Sequence, residues 1–292
     1  MTLKQTTLTE KIYFSGKGLF TAEDCRATIH PSLPDTGIVF IKDGCYIPAT
    51  SDYLVSEDVH TTSLSWNGIA IRSVEHLLSA LFGSKVDNAF IEIEGPEVPF
   101  FSADLFTDLT TKIANITADI PGNYVRPLHF SKVITYASKH SYAKYLPASC
   151  SNLKVKVFIS YPQPIGKDTY FFAHDSSKSY CNEIAGARSF LRKGIECEYS
   201  DGKNHWQHAA NQCKLLPLNP FASPVLCHKY GQWVVSPVDS TEPVRHKVLD
   251  LIGDLALIGT RLYGELHVMY PGHRFNQSFA AFMRSKSTSF EY

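Results

Sequence analysis

No two of the seven cysteines, Cys25, Cys45, Cys150, Cys181, Cys197, Cys213 and Cys227, stand in the C-x2-C spacing of a zinc ribbon or redox pair. Their odd number argues against a closed disulfide framework, so reduced thiols are expected and any metal must be held by His and carboxylate. Charge of one sign is also missing: Lys+Arg and Asp+Glu are 28 each, which removes the global electrostatic case for nucleic acid or a membrane surface as partner. No window approaches the ~18 consecutive apolar residues of a membrane span. The start, "MTLKQTTLTEKIYFSGKG", lacks the basic stretch and apolar core of a secretory leader, so a cytoplasmic protein without a transmembrane segment is expected. The N-x-S/T matches at Asn115 and Asn276 then carry no glycosylation meaning.

What is present is enough for one large domain or two ordinary ones: 292 residues, 44% of them apolar. "QTTLTEKIYFSGKG", "DCRATIHPSL" and "DTGIVFIKDG" read as strands. "SVEHLLSALFG" reads as a helix with Ser73 as N-cap and Gly83 as stop, followed by an alternating strand in "VDNAFIEIEG". "SADLFTDLTTKIA" resumes the helical period behind Ser102 as N-cap. Pro121, Gly122 and Pro127 mark the best break in the chain; a strand in "SNLKVKVFISY", a helix-compatible stretch near Ser179–Phe190 and an irregular stretch at 203–224 follow. In each half a helix with a His near its start leads into a strand, as two α/β units facing one another would.

The chemistry concentrates in "PVRHKVLDLIGDLALIG". His246, Asp250 and Asp254, at i, i+4 and i+8, make one polar stripe on a helix, beside an apolar stripe of Leu249, Ile252, Ala256 and Gly259 or Thr260. His246 and Asp250 can converge on a divalent ion, although by spacing alone such a pair is more often hydrogen-bonded on a helix surface. Glu75 and His76 are adjacent, about 100° apart on a helix, so one could bind an ion while the other reaches an activated water. His273 follows Gly272 in what reads as a loop, Asp254 could orient its imidazole, and Lys247 adds a cation that could meet developing negative charge. An exposed Glu-His pair, a solvated loop His and a surface Lys are the plainer alternatives. His205 with His208, and His60 with Glu57 and Asp58, are read as surface or supporting groups.

"SVEHLLSALFG", "VDNAFIEIEGPEVP", "EIAGARSF", "EPVRHKVLDLIGDLALIG" and "GHRFN", in that order, closely resemble the UDP-3-O-acyl-N-acetylglucosamine deacetylase (LpxC) family of lipid A synthesis. The resemblance implies a zinc-dependent amidohydrolase, with Zn2+ on His76, His246 and Asp250, Glu75 as general base, and His273 as general acid oriented by Asp254. It implies Lys247 beside the reacting centre, Ser189 in place of a Thr that polarises the amide oxygen, and Phe190 packing near the sugar nucleotide. It implies an α/β (α+β) two-domain sandwich, each domain a sheet with helices between the two sheets: 1–122 carrying the Glu-His motif, and 126–292 the His-x3-Asp and Gly-His motifs. The expected partner is an acylated UDP-N-acetylglucosamine, with no nucleic acid, and the chain a monomer.

The sequence departs from the family pattern at Phe20 (for His), Ala22 (for Gly), Ser102 and Ala103 (for Asp and Gly), Tyr270 and Pro271, and over 203–224, which lacks a glycine-rich segment. Two alternatives follow from these departures. One keeps the zinc chemistry on a different sugar nucleotide or acyl chain. The other is a catalytically silent binding or structural descendant of the fold.

Overall fold

The computed structural model describes residues 3–55, 58, 60–100, 102–148, 151–193, 225–228 and 233–288. The chain opens with β1 (Lys4–Leu8), paired antiparallel to β9 (Thr117–Tyr124). β9 runs through the Pro121-Gly122 break, and the register slips opposite it, between Lys4 and Thr6.

Two five-stranded mixed sheets follow. The first joins β2 (Ile12–Lys17), β3 (Asp24–Pro31), β8 (Ala89–Glu94), β4 (Ile38–Lys42) and β5 (Cys45–Pro48) in that spatial order, with β4 and β8 parallel. The second joins β10 (Ile134–Ala137), β11 (Tyr142–Leu146), β17 (Gly264–Met269), β12 (Leu153–Ser160) and β13 (Lys167–Ala173), with β12 and β17 parallel. Alternation of apolar residues buries one face of each: Ala27, Ile29, Ile91 and Ile93 in the first, Val155, Val157, Leu266 and Val268 in the second. These inner faces share one continuous core with Leu77 and Leu78 of α1 (Glu75–Gly83) and Leu249 and Ile252 of a later helix, so helices lie between sheets as expected.

That later helix, α4 (Glu242–Leu255), packs on α1, β12 and β13, and α5 (His273–Thr288) packs on α4. α2 (Ala103–Ile116) starts behind Ser102, whose hydroxyl accepts from Leu105 N at 3.4 Å, the expected cap. Short strands β6 (Leu64–Trp66) and β7 (Ile69–Ile71) form a hairpin whose Asn67 and Gly68 both have positive φ, as a two-residue turn of this hand requires. Strands β14 (Phe190–Lys193), β15 (Val225–His228) and β16 (Trp233–Val235) make a third sheet. No helix of the described residues is long and apolar enough to cross a membrane.

Two local expectations are corrected and one, Gly83 as the end of α1, is met for an added reason. Ser73 does not cap α1: it sits at φ +60, and its hydroxyl donates to buried Glu97 at 3.1 Å. Gly83 ends α1 but is required for packing, because a Cβ there would lie 2.4 Å from the Tyr180 ring. The stretch near Ser179–Phe190 is not one helix. It splits into α3 (Ser177–Tyr180), a π turn over Cys181–Ala185 and the start of β14, because Ala187 and Arg188 bond to α4.

Candidate metal and acid–base centre

The site exists because α1 and α4 cross closely. At the crossing, a Cβ on Gly253 would fall 2.0 Å from the Glu75 carbonyl oxygen, so only glycine allows the approach. His76 of α1 is thereby brought to His246 of α4, ring centroids 5.2 Å apart. Asp250 lies one turn beyond His246, and its Oδ1 is 3.3 Å from His246 Nε2 and 3.4 Å from His76 Nε2. One ligand atom from each of the three residues lies within 4.8 Å of the others.

These atoms do not satisfy one another. His246 Nδ1 is 3.0 Å from the Ala187 carbonyl, which only accepts, so Nδ1 carries the hydrogen and Nε2 presents a lone pair to Asp250. Burial pushes the His246 pKa down to about 4, against the pull of Asp250, so no second proton is available near neutrality. Burial also opposes charge on Asp250, but the cationic Lys247 and His273 prevail and hold its carboxyl well below the usual carboxylate range. Asp250 Oδ1 is buried without a hydrogen-bond partner. A carboxylate oxygen facing a lone pair at van der Waals distance is the arrangement that a cation between them resolves, and two imidazoles with a carboxylate suit a metal ion. The residues present fit the expected group.

The acid–base candidates surround this cluster. Glu75 is buried; the Thr61 hydroxyl donates to its two oxygens at 2.7 and 2.9 Å, and Thr62 N donates to Oε2 at 2.9 Å. His273 Nδ1 donates to Asp254 Oδ2 at 3.0 Å, and its Nε2 is 3.8 Å from Asp250 Oδ2. Burial works against the charged imidazole, yet Asp254 and Asp250 outweigh it and raise the His273 pKa to about 9. His273 is not in a loop, as the sequence reading expects, but is the first residue of α5. Lys247 Nζ donates to Asp250 Oδ2 at 2.7 Å and lies 5.3 Å from the centre of the Phe190 ring. Burial opposes its charge, but Asp250 raises its pKa overall.

The segment "EIAGARSF" is stitched to α4 by side chains. Glu242, fully buried, takes the Arg188 guanidinium at 2.8 and 2.9 Å and Arg188 N at 3.0 Å. Arg245 reaches back to the Glu183 carbonyl at 2.9 Å. Phe190 is thus delivered 6.4 Å from the His246 ring. Ser189 rides on the same segment, half-buried, and its hydroxyl bonds no described residue of the cluster.

The cluster therefore unites His76, His246, Asp250, Glu75, Lys247, Asp254, His273 and Phe190. It also includes groups that sequence reasoning missed: Thr61, Thr62, Asn276 and Gln277. Asn276, met earlier only as a glycosylation-type match, is fully buried and donates to Asp254 Oδ2 at 2.9 Å. Asn276 and Gln277 lie at i+3 and i+4 from His273, a helical spacing that could have revealed them. Asp58 pairs with Arg72 at 3.0 Å and stays outside the cluster. Phe20, where the resemblance expects His, packs against the Arg72 guanidinium, and Ala22, where it expects Gly, holds φ +58, which explains why Gly is expected. Glu57, His205, His208 and the whole 203–224 segment lie outside the described residues.

The chain is similar to known proteins over most of its length. The family model described as "LpxC: UDP-3-O-acyl N-acetylglycosamine deacetylase" matches residues 5–284. A UDP-3-O-acyl-N-acetylglucosamine deacetylase of Nostoc sp. is 32% identical over 266 residues, 88% of this chain and 90% of the relative. Its counterpart in Nitratidesulfovibrio vulgaris is 31% identical over 301 residues, 98% and 89% of the two chains. A bifunctional enzyme LpxC/FabZ of Chlorobaculum tepidum is 26% identical over 301 residues, 96% of this chain and 64% of that longer protein.

Proposed function

The chain belongs to the UDP-3-O-acyl N-acetylglycosamine deacetylase family, and on that premise we propose that it hydrolyses the N-acetyl group of a UDP-3-O-acyl-N-acetylglucosamine in lipid A synthesis, releasing acetate, with zinc held by His76, His246 and Asp250. The observation that carries the metal assignment is Asp250 Oδ1, buried and unpartnered between two imidazole nitrogens. When bound, zinc would supply a Lewis acid that polarises the acetamide carbonyl and makes a water acidic enough to attack near neutral pH.

The protein's own groups then divide the proton transfers. Glu75 accepts the proton of the attacking water on a carboxylate oxygen. His273, whose raised pKa keeps it charged at neutral pH, gives its Nε2 proton to the departing amine, so that water and amide become acetate and free amine. Asp254 holds the opposite ring nitrogen and fixes the direction of that proton. Lys247 places positive charge where the acetamide oxygen becomes negative, Ser189 donates its hydroxyl to the same oxygen, and Phe190 packs near the sugar nucleotide. The free thiols Cys25, Cys45 and Cys181 support a reducing, cytoplasmic setting.

The test is acetate release from the acylated UDP-sugar, measured with metal content on the same preparation. About one zinc per chain, with release abolished by a chelator and restored by zinc, is expected. Undiminished release from metal-free protein, or none from zinc-loaded protein, overturns the reading.

A further inference from the structure

Two adjacent threonines reach the two ends of the acid–base machinery. Thr61 and Thr62 stand just before β6, and their hydroxyls reach two different carboxylates. The Thr61 hydroxyl donates to Glu75 at 2.7 Å. The Thr62 hydroxyl donates to Asp254 Oδ1 at 2.5 Å and lies 3.5 Å from His273 Nδ1. Both threonines are buried.

The direction of the Thr62 hydroxyl is determined. Gln277 Nε2 donates to its oxygen at 2.8 Å, so the single hydroxyl hydrogen is left for Asp254. Asp254, fully buried, then receives three donors: the Thr62 hydroxyl, Asn276 Nδ2 at 2.9 Å and His273 Nδ1 at 3.0 Å. The backbone between the hydroxyls is fixed as well. Thr62 N donates to Glu75, and Thr62 O accepts from Val74 N at 3.0 Å, the residue just before α1.

We propose that Thr61-Thr62 is a two-headed positioning element: it holds the base Glu75 and, through Asp254, the acid His273 in one rigid register across the reacting bond. Neither threonine touches the reacting atoms. Each sets the place of a group that does, and Gln277 sets the orientation of the Thr62 hydroxyl. The assignment of base and acid rests on the function proposed above.

The decisive variant is Thr62→Val, the near-isosteric loss of one hydroxyl, compared with Thr62→Ser, which restores it. Thr110→Val is the matched control: Thr110 is also fully buried and its hydroxyl bonds only the Phe106 carbonyl within α2. In zinc-loaded protein, Thr62→Val is expected to lower kcat by about 10- to 100-fold at nearly unchanged KM, the size that misplacement of a catalytic group produces. Thr62→Ser is expected to recover most of it, and Thr110→Val to keep wild-type kcat at a similar fall in Tm. Thr61→Val and Thr61→Ser should repeat the pattern through Glu75. Wild-type kcat in Thr62→Val, or an equal kcat loss in Thr110→Val, overturns the proposal. A readout independent of turnover separates this from the deacetylase reading: the low-field imidazole Nδ1–H resonance of His273 should shift or broaden in Thr62→Val and return in Thr62→Ser. If wild-type protein released no acetate, the deacetylase reading would fall while that resonance still decided the positioning claim, and an unmoved resonance overturns it.

Discussion

The first turn of α1 presents Glu75 and His76 to buried groups of α4 and α5, whereas its last turn and the following Lys85 border a cleft of about 880 Å³ whose lining includes Leu81, Lys85, Arg261 and Arg284. The cleft's lining includes none of the metal and acid–base candidates, and the proposed chemistry is at the other end. Two of the cleft's cations are already engaged. Arg261 donates to the Lys85 carbonyl at 3.0 Å and pairs with Asp87 at 2.7 Å; Arg284 donates to the Ile258 carbonyl at 2.8 Å and pairs with Asp52 at 3.1 Å. They cover carbonyls at the C-terminal ends of helical segments, where positive charge is favoured. At the first turn, by contrast, Asp250 Oδ1 is buried between two imidazole nitrogens without a hydrogen-bond partner. The proposed site is marked by that oxygen rather than by empty volume.

The largest break in that comparison should come from Asp250→Ala. It is expected to lose the metal and at least about 1,000-fold in kcat, since Lewis-acid assistance is worth several kcal/mol and each ~1.4 kcal/mol is tenfold. Metal analysis beside the acetate assay checks it; an Asp250→Ala protein that binds zinc normally would remove Asp250 from the ligand set. Next is His273→Gln, expected to retain zinc but lose about 100- to 10,000-fold in kcat, the range of a general acid. Retained turnover would transfer that role to another group.

Two stability effects come after these. Glu242→Gln strips the buried partner from Arg188 and should cost about 3 kcal/mol in denaturant unfolding, the scale for breaking a buried pair, with a loss of activity as the Ala187–Phe190 segment loosens. His174 gives a pH effect away from the site. Burial pushes its pKa down to about 4 although it donates to the Gly83 carbonyl at 2.8 Å, while an unfolded His titrates near 6.5. Below 6.5 the unfolded chain takes a proton that the folded chain refuses. Stability is therefore full above pH 6.5 and falls as pH drops toward 4, by at most about 3 kcal/mol. His174→Phe should flatten that part of the profile, and an unchanged slope would show that other groups carry it.

The difference between the two ends of α1 was unevenly legible in the sequence. His246 and Asp250 could be found because a helix repeats its face every three to four residues, and both stand on α4. Strand alternation likewise exposed the inner faces of β3, β8 and β12. Resemblance, rather than spacing, brought His76 into the same set. Thr61, Thr62 and the Ala187 carbonyl were invisible because their roles arise only where distant segments meet: Thr62 and Asp254 are 192 residues apart. His273 was misread because Gly272 suggested a loop, whereas the helix begins immediately after it. Ser73 was misread because buried Glu97 outcompetes the helix end for its hydroxyl.

The smallest expected effect tests the comparison at its quieter end. Arg284 is partly exposed and its partner Asp52 more so, at side-chain exposures of 34% and 62%, so the ion pair itself contributes little. What Arg284→Ala removes is mainly the donor to the Ile258 carbonyl, where Gly259 turns left-handed at φ +84 to end the segment after α4. A cost of about 1 kcal/mol or less follows, readable as a small fall in Tm. kcat and zinc content should be unchanged, because Asp250 lies more than two turns away along the helix and its surroundings are packed by α1 and α5 instead. A fall in kcat beyond about tenfold without loss of fold would mean that α4 transmits strain from the cleft to the cluster. In that case the two ends would form one functional unit, and the cleft would no longer be only the place where helices are capped.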